Sequence, residues 1–280
     1  MRILITGGSG LIGTNLSRLL SKSHEVVVFD RRKSKANNVD FKEGNIQNTE
    51  ENPVITLDTN IIGTKNVLEA CRINDVKKIL FSSSSEIYGE PLRIPIEESD
   101  NPIPITTYGV SKLAAEEYIK SYAKVHGIKY TIFRLFNVYG EEQINEWVVP
   151  EFVGKAIKNE DILLHGDGTQ IRAFCYVSDV SNAFQLALNK GDNDIFNIGN
   201  DSEPLTIKEL AQKIISIANS KSSIKFLSFA KSNRNRNEIL TRVPSIEKAK
   251  TILGYQPGIS LNKGITIMLN KLKFNYNISH

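Results

Sequence analysis

Cysteine, histidine and tryptophan are all rare in this chain of 280 residues. The two cysteines, Cys71 and Cys175, lie far apart and lack the spacing of a metal site, and the four histidines are equally scattered. No metal centre is therefore expected. Cysteines this few and this widely separated are typical of proteins from reducing compartments, so we expect a cytoplasmic protein with both thiols reduced and buried.

The chain also lacks a large excess of one charge and a long apolar run. The net charge is only +4 and the basic residues are dispersed, so a nucleic-acid partner is not expected. No segment approaches the roughly 20 apolar residues that cross a membrane, and the run at residues 3–5 gives way to glycine too soon for a signal peptide. The composition is that of a globular protein large enough for a main domain and a smaller second one.

Short apolar runs alternate with helical patterns in the first half of the chain. Strands are predicted at residues 3–5, 26–29, 39–42, 79–81 and 130–133, and helices after the first strand and at 55–71 and 108–126. Repeated strand–helix–strand units predict an α/β fold with a Rossmann-type, doubly wound parallel sheet. After residue 146 the pattern is less regular, with helices predicted near residues 148–158, 179–189, 206–219, 245–253 and 261–272.

A glycine-rich turn connects the first strand to the first helix, and it reads Gly7-Gly8-Ser9-Gly10-Leu11-Ile12-Gly13. Gly7 permits a tight turn, Gly10 lets the backbone approach a pyrophosphate, and Gly13 allows the helix to pack closely on the sheet. The free amides at the start of the helix, including those of Leu11 and Ile12, would then face the phosphates. A strand before the turn and a helix after it favour dinucleotide binding over a simple structural turn.

Asp30 ends the second predicted strand and is the expected contact for the cofactor ribose. A carboxylate there accepts hydrogen bonds from both ribose hydroxyls and repels a 2′-phosphate, which favours NAD over NADP. Arg31 and Arg32 follow directly, and they either lie in solvent or accommodate such a phosphate. We expect NAD as the cofactor, with Arg31 beside the ribose.

Tyr108 and Lys112 lie four residues apart in a predicted helix, so their side chains share one face. A phenol with a pKa near ~10 is a poor base at neutral pH, and a nearby ammonium lowers that pKa because it favours the phenolate. The pair is therefore a candidate for proton transfer beside the cofactor. The alternative is an accidental pair on a solvated helix face.

Together with further motifs, these residues resemble the extended short-chain dehydrogenase/reductase family. The similarity is to its NAD-dependent sugar-nucleotide epimerases and dehydratases, and in particular to UDP-glucose 4-epimerases. The matching segments span nearly the whole chain. They are Thr6–Gly13, Asn60–Thr64, Ser82–Gly89, Tyr108–Lys112, Arg134–Gly140, Gly166–Arg172, Ser245–Lys250 and Leu253–Tyr255.

The resemblance implies a role for each matching residue. Tyr108 is implied to be the catalytic base, with Lys112 as its electrostatic partner and a holder of the nicotinamide ribose. Ser84 matches the residue that hydrogen-bonds the reacting sugar hydroxyl. Further cofactor contacts are implied for Asn45, Ile46, Asn60 and Ser82. Substrate contacts are implied for Ser84, Asn137, Arg172 and Arg234, since planar guanidinium groups suit a diphosphate. For Arg234 the alternative is a solvated polar loop.

Glu86 discriminates between reactions within the family. Dehydratases carry an aspartate before this glutamate, and Ser85 stands there instead, so the general acid that eliminates water is missing. The implied reaction is epimerisation of a nucleotide sugar, foremost a UDP-hexose, at C4 through a transient 4-keto sugar. A serine–glutamate pair also occurs in nucleotide-sugar decarboxylases, so decarboxylation is an alternative reaction. A further alternative is that Glu86 has only a structural role.

One helix and one central strand of the family pattern, about thirty residues, are missing after residue 50. Unpaired buried backbone groups cost about 1–3 kcal/mol each. A domain that is stable by only about 5–15 kcal/mol cannot leave a row of such groups unpaired. Either the strand at 79–81 therefore moves in beside the strand at 3–5, or the chain is a defective copy of the family fold. A NAD-binding relative with impaired catalysis is thus a further alternative. Smaller departures from the family pattern are Asn45, Glu141, Glu142 and Ala173.

The chain is expected to divide into two domains. Residues 1–146 with about 172–200 would bind NAD, and about 147–171 with 201–280 would form a smaller mixed α/β substrate domain. The nucleotide sugar would lie in the cleft between them. The resemblance also implies a homodimer that forms through the helix of Tyr108 and the helix before the serine-rich strand.

Overall fold

The computed structural model describes residues 1–44, 57–143, 147–228 and 239–278, with side chains to residue 273. Its strands are β1 (Arg2–Thr6), β2 (Glu25–Asp30), β3 (Asp40–Glu43), β4 (Lys78–Ser84), β5 (Lys129–Leu135), β6 (Val138–Tyr139), β7 (Ile162–His165), β8 (Ile171–Arg172), β9 (Cys175–Tyr176), β10 (Asp194–Ile198), β11 (Leu205–Thr206), β12 (Ile224–Leu227) and β13 (Thr241–Arg242). Its α-helices are α1 (Leu11–Leu20), α2 (Gly63–Ile73), α3 (Thr107–His126), α4 (Val148–Lys158), α5 (Val177–Leu186), α6 (Ile207–Ala218) and α7 (Leu261–Ile278).

Parallel strands with helices between them make up the first part of the molecule. All five strands predicted there are present, and the pairs β1–β2, β2–β3, β4–β5 and β5–β10 are parallel. Parallel pairing requires crossover connections. Helix α1 connects β1 to β2, α3 connects β4 to β5, and the segment from β5 to β10 contains α5, whereas residues 31–39 connect β2 to β3 without a helix. The predicted α/β fold of the Rossmann type is confirmed.

The parallel strands form two separate sheets, in the orders β1–β2–β3 and β10–β5–β4. Among the strands that the structure describes, β1 and β4 are therefore edge strands, and no strand pairs with both of them. Leu4 in the middle of β1 is 62% exposed, as an uncovered edge allows. Closure of β4 onto β1, one of the two alternatives that the sequence left open, does not occur within the described residues. The place predicted for the missing unit, after residue 50, lies outside those residues, and the deletion stays a prediction.

The two largest of four hydrophobic clusters in the described residues join most of the elements. The first joins β1, β2, β5 and β10 to α1 and α5, and it also takes in Leu253 and Tyr255 from the C-terminal part. The second joins α4, α6 and α7 around β7. Each helix buries an apolar stripe, and burial of apolar surface stabilises such packing by roughly 25 cal/mol per Å². The predicted division into two domains stays a prediction.

Local sequence signals set the limits of the helices near the sheet. The side chain of Thr106 accepts a hydrogen bond from the amide of Gly109 at 3.0 Å, which caps α3. The helix ends at Gly127, whose φ of +71° favours glycine. The helix predicted from residue 55 begins, within the described residues, as a π-helical turn at Asp58–Ile62, and the one predicted at 245–253 is π-helical over Ala249–Leu253. Searched over the described residues, the molecule has no helix that is both long and apolar enough to cross a membrane.

Candidate active site

The glycine turn lies between β1 and α1. Gly7 has a φ of +68° and donates its amide to the Phe29 carbonyl at 2.9 Å, which fixes the turn against the end of β2. A Cβ at Gly13 would lie 2.5 Å from the Gly7 carbonyl oxygen, so only glycine fits there. Gly10 is the N-cap of α1 and supplies no side-chain cap. The first amides of α1, which include those of Leu11 and Ile12, are thus free of a capping side chain and suit an anion.

Asp30 lies at the end of β2 beside this turn. Its carboxylate accepts hydrogen bonds from the amides of Ser9 and Arg32, both at 3.0 Å. The Ser9 hydroxyl donates to the Arg32 carbonyl at 2.6 Å. These bonds hold the carboxylate against the turn, where a dinucleotide ribose would bind. The Arg31 side chain is exposed.

Tyr108 lies in the first turn of α3 and is 39% exposed. Its phenol is hydrogen-bonded to the side chain of Ser84 at the end of β4. Burial and then the charge of Glu86 raise the pKa of Tyr108 above 10, and the Ser84 hydrogen bond lowers it by less. The lowered pKa predicted for this phenol is therefore wrong for the protein alone, because desolvation disfavours the phenolate.

Lys112 lies one turn after Tyr108 on the same face of α3. Its Nζ donates to the Ser82 carbonyl at 2.9 Å, and it lies 5.0 Å from the ring centre of Phe81 and 5.7 Å from that of Tyr108. Burial lowers the pKa of Lys112 to about 8, while the charge of Glu116 opposes the shift. The ammonium is thus close to the phenol, but it is bonded to the strand.

Asn60 reaches the same helix from the π-helical turn before α2. Its Nδ2 donates to the Ser111 hydroxyl at 2.9 Å, and that hydroxyl donates to the Tyr108 carbonyl at 2.8 Å. Asn60 is therefore one hydrogen-bonded residue away from the backbone of Tyr108. The predicted pocket residues Ser82, Ser84, Asn60, Tyr108 and Lys112 come together at this end of β4.

Glu86 lies between the phenol and a second group of charged residues. Its carboxylate accepts from the Thr106 hydroxyl at 2.8 Å and from the Arg242 guanidinium at 3.4 Å. Arg242 is in β13, which pairs in parallel with β8, and its register partner there is Arg172. Glu86 therefore acts electrostatically on Tyr108 and contacts Arg242, which is the register partner of Arg172.

A cavity opens beside Arg172 between α4 and β7. Its lining includes Asn137, Phe152, Gln170, Arg172 and Phe174. The Arg172 guanidinium donates to the carbonyls of residues 239 and 240 at 2.7 and 3.0 Å, and Asn137 donates to the Ala173 carbonyl at 3.2 Å. Aromatic walls with a few fixed polar groups suit a small organic ligand. The predicted site residues Asn45, Ile46 and Arg234 lie outside the described residues.

Several residues near the site were not predicted from the sequence. Arg242 and Thr106 contact Glu86, and Ser111 joins Asn60 to Tyr108. Thr106 carries a usable signal, since a threonine directly before a predicted helix is a cap. Arg242 carries none, because its partner is 156 residues away in the chain.

Comparison with known proteins places this geometry in a family. A family model described as the NAD dependent epimerase/dehydratase family matches residues 3–48 and 38–199. A protein of Methanocaldococcus jannaschii, provisionally named UDP-glucose 4-epimerase, is 36% identical over 310 aligned residues that cover 98% of this chain and 99% of the relative. UDP-glucuronic acid decarboxylase 3 of Arabidopsis thaliana is 33% identical over 318 aligned residues that cover 99% of this chain and 91% of the relative.

A solved structure agrees with these relatives. The UDP-glucose 4-epimerase of Thermotoga maritima, crystallised with UDP-glucose, superposes with a TM-score of 0.90 and 29% identity, over 99% of this chain and 100% of that one. The family cofactor is NAD, and the glycine turn, the uncapped start of α1 and the Asp30 carboxylate all fit it. The predicted resemblance is confirmed, and the chain belongs to the NAD dependent epimerase/dehydratase family.

Proposed function

We propose that this chain inverts the C4 configuration of a nucleotide sugar, foremost a UDP-hexose, with bound NAD. The observation that carries the proposal is the Tyr108–Ser84 hydrogen bond beside Lys112, with Glu86 and Arg242 on the side that leads to β8 and the cavity beside Arg172. It relates a group that can move a proton to a cavity lined by aromatic and polar side chains. The relatives named for UDP-glucose 4-epimerase activity support the same reaction.

The N-terminal elements would hold the cofactor. The amides at the start of α1 would bind the pyrophosphate, and Asp30 would accept the ribose hydroxyls of the adenosine half. Asn60 and Lys112 would contact the nicotinamide half. When bound, NAD accepts a hydride from the sugar carbon and later returns it.

Tyr108 would move the proton of the 4-hydroxyl. Its phenol lies beside Ser84, which would hydrogen-bond the same hydroxyl and orient it. Since burial and Glu86 raise the pKa of this phenol, the phenolate needs added positive charge, and the Lys112 ammonium is the nearby source. The same phenol would return the proton after the 4-keto sugar has turned over in the pocket.

A panel of nucleotide sugars tests the proposal. Purified protein with its NAD occupancy measured would be incubated with UDP-glucose, UDP-galactose and their N-acetylated and uronic counterparts, and products followed by chromatography and proton NMR. Interconversion of one pair of C4 epimers is expected. Protein that retains NAD yet converts none of them would favour the alternative, an NAD-binding relative with impaired catalysis.

Decarboxylation of a nucleotide uronic acid is the second candidate, and Arg242 favours it. This guanidinium is largely buried, its Nε has no hydrogen-bond partner among the described residues, and its bond to Glu86 is long at 3.4 Å. A sugar carboxylate would satisfy such a group. The similarity to a UDP-glucuronic acid decarboxylase supports this reading. If the protein releases carbon dioxide from UDP-glucuronic acid and Arg242→Leu does not, the proposed reaction is decarboxylation and not epimerisation.

A homodimer and a cytoplasmic location also remain proposals. Helices α2 and α3 expose apolar side chains, among them Val110, Tyr118, Val125 and Ile73, and the last two are more than 70% exposed. Apolar surface of this kind is typical of an association face. Sedimentation equilibrium of the protein and of Val125→Lys tests the dimer, which the lysine is expected to dissociate. The two free cysteines are compatible with a reducing compartment.

A further inference from the structure

The β2–β3 connection, residues 31–39, begins directly beside the expected ribose contact. The Asp30 carboxylate accepts a hydrogen bond from the Arg32 amide at 3.0 Å, and the Arg32 carbonyl accepts one from the Ser9 hydroxyl at 2.6 Å. A shift of the connection would therefore disturb the hydrogen bonds that orient Asp30. The contacts that hold the connection in place thus bear on the cofactor site.

Lys35 ties the middle of the β2–β3 connection to two other parts of the molecule. Its carbonyl accepts a hydrogen bond from Nη2 of Arg18 in α1 at 3.3 Å. Its Nζ donates to Oε2 of Glu142 at 3.2 Å, and Glu142 is 107 residues further along the chain, in the loop after β6. The ion pair therefore joins the connection to a distant loop.

Glu142 uses both of its carboxylate oxygens. While Oε2 holds Lys35, Oε1 accepts from Nη1 and Nη2 of Arg18, both at 3.3 Å, and from Nζ of Lys271 in α7 at 3.0 Å. The Glu142 side chain is only 11% exposed. A largely buried carboxylate with three cationic partners is restrained from several sides, unlike one in an isolated surface pair.

The loop that carries Glu142 is itself fixed next to the glycine turn. The amide of Gln143 donates to the Gly140 carbonyl at 3.2 Å, which closes a tight turn around Glu142. A Cβ at Gly140 would lie 2.5 Å from the Val177 side chain and 3.4 Å from that of Leu11. The loop therefore packs against the starts of both α5 and α1, and it offers Lys35 a partner that is held in place.

We propose that Glu142 is a positioning residue for the cofactor: by holding Lys35, it keeps the β2–β3 connection, and with it Asp30, in the arrangement that receives the adenosine ribose. The inference rests on the proposed binding of that ribose by Asp30. Since the connection is held before the cofactor arrives, little ordering of this segment remains to oppose binding.

Direct charge interaction predicts the opposite effect of Glu142 on the cofactor. The pyrophosphate is negatively charged, so a carboxylate in this part of the molecule repels it, and its removal alone would tighten binding. If the carboxylate acts through Lys35 and the connection, its removal weakens binding. The sign of the change therefore separates a positioning role from a charge effect through space.

Calorimetric titration with ADP-ribose measures this sign without turnover, because ADP-ribose has the adenosine and pyrophosphate of NAD and lacks the nicotinamide. Glu142→Gln is expected to raise the Kd about threefold to fivefold, the size expected for loss of a partly exposed ion pair. Lys35→Met is expected to weaken binding as well. The double variant should bind no more weakly than the weaker single variant, because both changes remove the same contact. Unchanged or tighter binding by Glu142→Gln, or additive effects in the double variant, would overturn the proposal.

Lys271→Met is the matched control. It removes another cation from the same carboxylate and leaves the Lys35 contact in place. Chemical denaturation should show a lower free energy of unfolding for Lys271→Met, while its Kd for ADP-ribose should stay within about twofold of that of the unmodified protein. If Lys271→Met weakens ADP-ribose binding as much as Glu142→Gln does, the effect comes from a general loss of stability and the inference is wrong.

Activity distinguishes this inference from the proposed function. If the variants bind ADP-ribose as expected but the unmodified protein turns over no nucleotide sugar, the proposed function fails and the role of Glu142 stands. If nucleotide sugars are turned over and Glu142→Gln binds ADP-ribose as tightly as the unmodified protein, only the inference fails. If the unmodified protein binds no ADP-ribose, the proposed ribose site at Asp30 is wrong, and the inference fails with it.

Discussion

The amide of Ser9 in the glycine turn donates a hydrogen bond to Oδ2 of Asp30 at 3.0 Å. This bond joins the phosphate-binding turn to the end of β2. The carboxylate is thereby held before any ligand arrives, so little side-chain entropy is lost when a ribose binds. NAD binding and the choice of NAD over NADP should both depend on this residue.

Asp30→Asn is expected to weaken NAD binding about tenfold and to reduce the preference for NAD over NADP. The neutral amide accepts weaker hydrogen bonds from ribose hydroxyls and no longer repels a 2′-phosphate. Calorimetric titration with both dinucleotides measures the change. Asp40→Asn, at an exposed position at the start of β3, is the matched control. Equal affinities of Asp30→Asn and the control for NAD would exclude Asp30 from the cofactor site.

Gly13→Ala is expected to reduce NAD binding at least tenfold and to lower the free energy of unfolding by about 1–3 kcal/mol. The added Cβ would lie 2.5 Å from both the Gly7 carbonyl oxygen and the Gly8 Cα, so the turn must shift. Gly154→Ala is the control, because its Cβ in helix α4 meets no atom within 4 Å. Gly154→Ala should leave the free energy of unfolding unchanged or raise it by about 0.5–1 kcal/mol. Chemical denaturation measures the free energy of unfolding, and calorimetry measures the affinity for NAD. A Gly13→Ala protein that binds NAD normally would show that a Cβ at this position does not disturb the cofactor-binding turn.

Glu142 should contribute to stability in a way that depends on pH and salt. Its carboxylate is 3.0–3.3 Å from three cations, Arg18 in α1, Lys35 in the segment after β2 and Lys271 in α7. Burial acts to raise the pKa of Glu142, but hydrogen bonds and charge from the lysines outweigh it and hold that pKa at about 2. A carboxyl group with a pKa below its unfolded value near 4.5 stabilises the fold above that value. The contribution is lost as the pH falls from 4.5 towards 2.

The corresponding test compares Glu142→Gln with Glu160→Gln, which alters an exposed glutamate. Glu142→Gln is expected to lower the free energy of unfolding at neutral pH by about 1 kcal/mol, after allowance for the exposed cations and solvent screening. The difference from the unmodified protein should shrink in about 1 M salt and below about pH 4. A constant difference across pH and salt would mean that packing, and not charge, accounts for the effect.

Insertion, after residue 50, of the strand–helix unit that the sequence predicts to be missing is expected to raise the free energy of unfolding. In the described residues β1 and β4 are both edge strands, and a strand between them would pair backbone groups of both. The family model matches in two overlapping pieces, and the alignments with the relatives are longer than this chain. The unit would come from the M. jannaschii relative, with a glycine–serine insert of equal length as control. Equal stability of the two insertions would count against a gap between β1 and β4.

The first half of the fold could be predicted because its signals are local. Apolar runs ended by glycine or by Asp30 mark the parallel strands β1 and β2, and Thr106 and Gly127 mark the ends of α3. The spacing of Tyr108 and Lys112 placed both on one helix face. These inferences need only neighbouring residues, so one sequence was enough.

The remaining features depend on residues that are distant in the chain. The Glu86–Arg242 contact and the Ser83–Glu116–Arg134 cluster form only when strands and helices pack. The raised pKa of Tyr108 was missed for the same reason, since burial cannot be read from the spacing of Tyr108 and Lys112. The split between the two parallel sheets likewise depends on how β4 packs, and the sequence left closure onto β1 equally open.

The most direct test of the proposed reaction is Tyr108→Phe, measured against Tyr118→Phe on the same helix. The variant lacks the phenolic oxygen that would carry the proton, while its ring still fills the same space. Interconversion of the preferred nucleotide sugar should fall by about 10²–10⁴-fold in Tyr108→Phe, with the bound NAD content unchanged, and Tyr118→Phe should remain active. A Tyr108→Phe protein that retains NAD and full turnover would contradict the account.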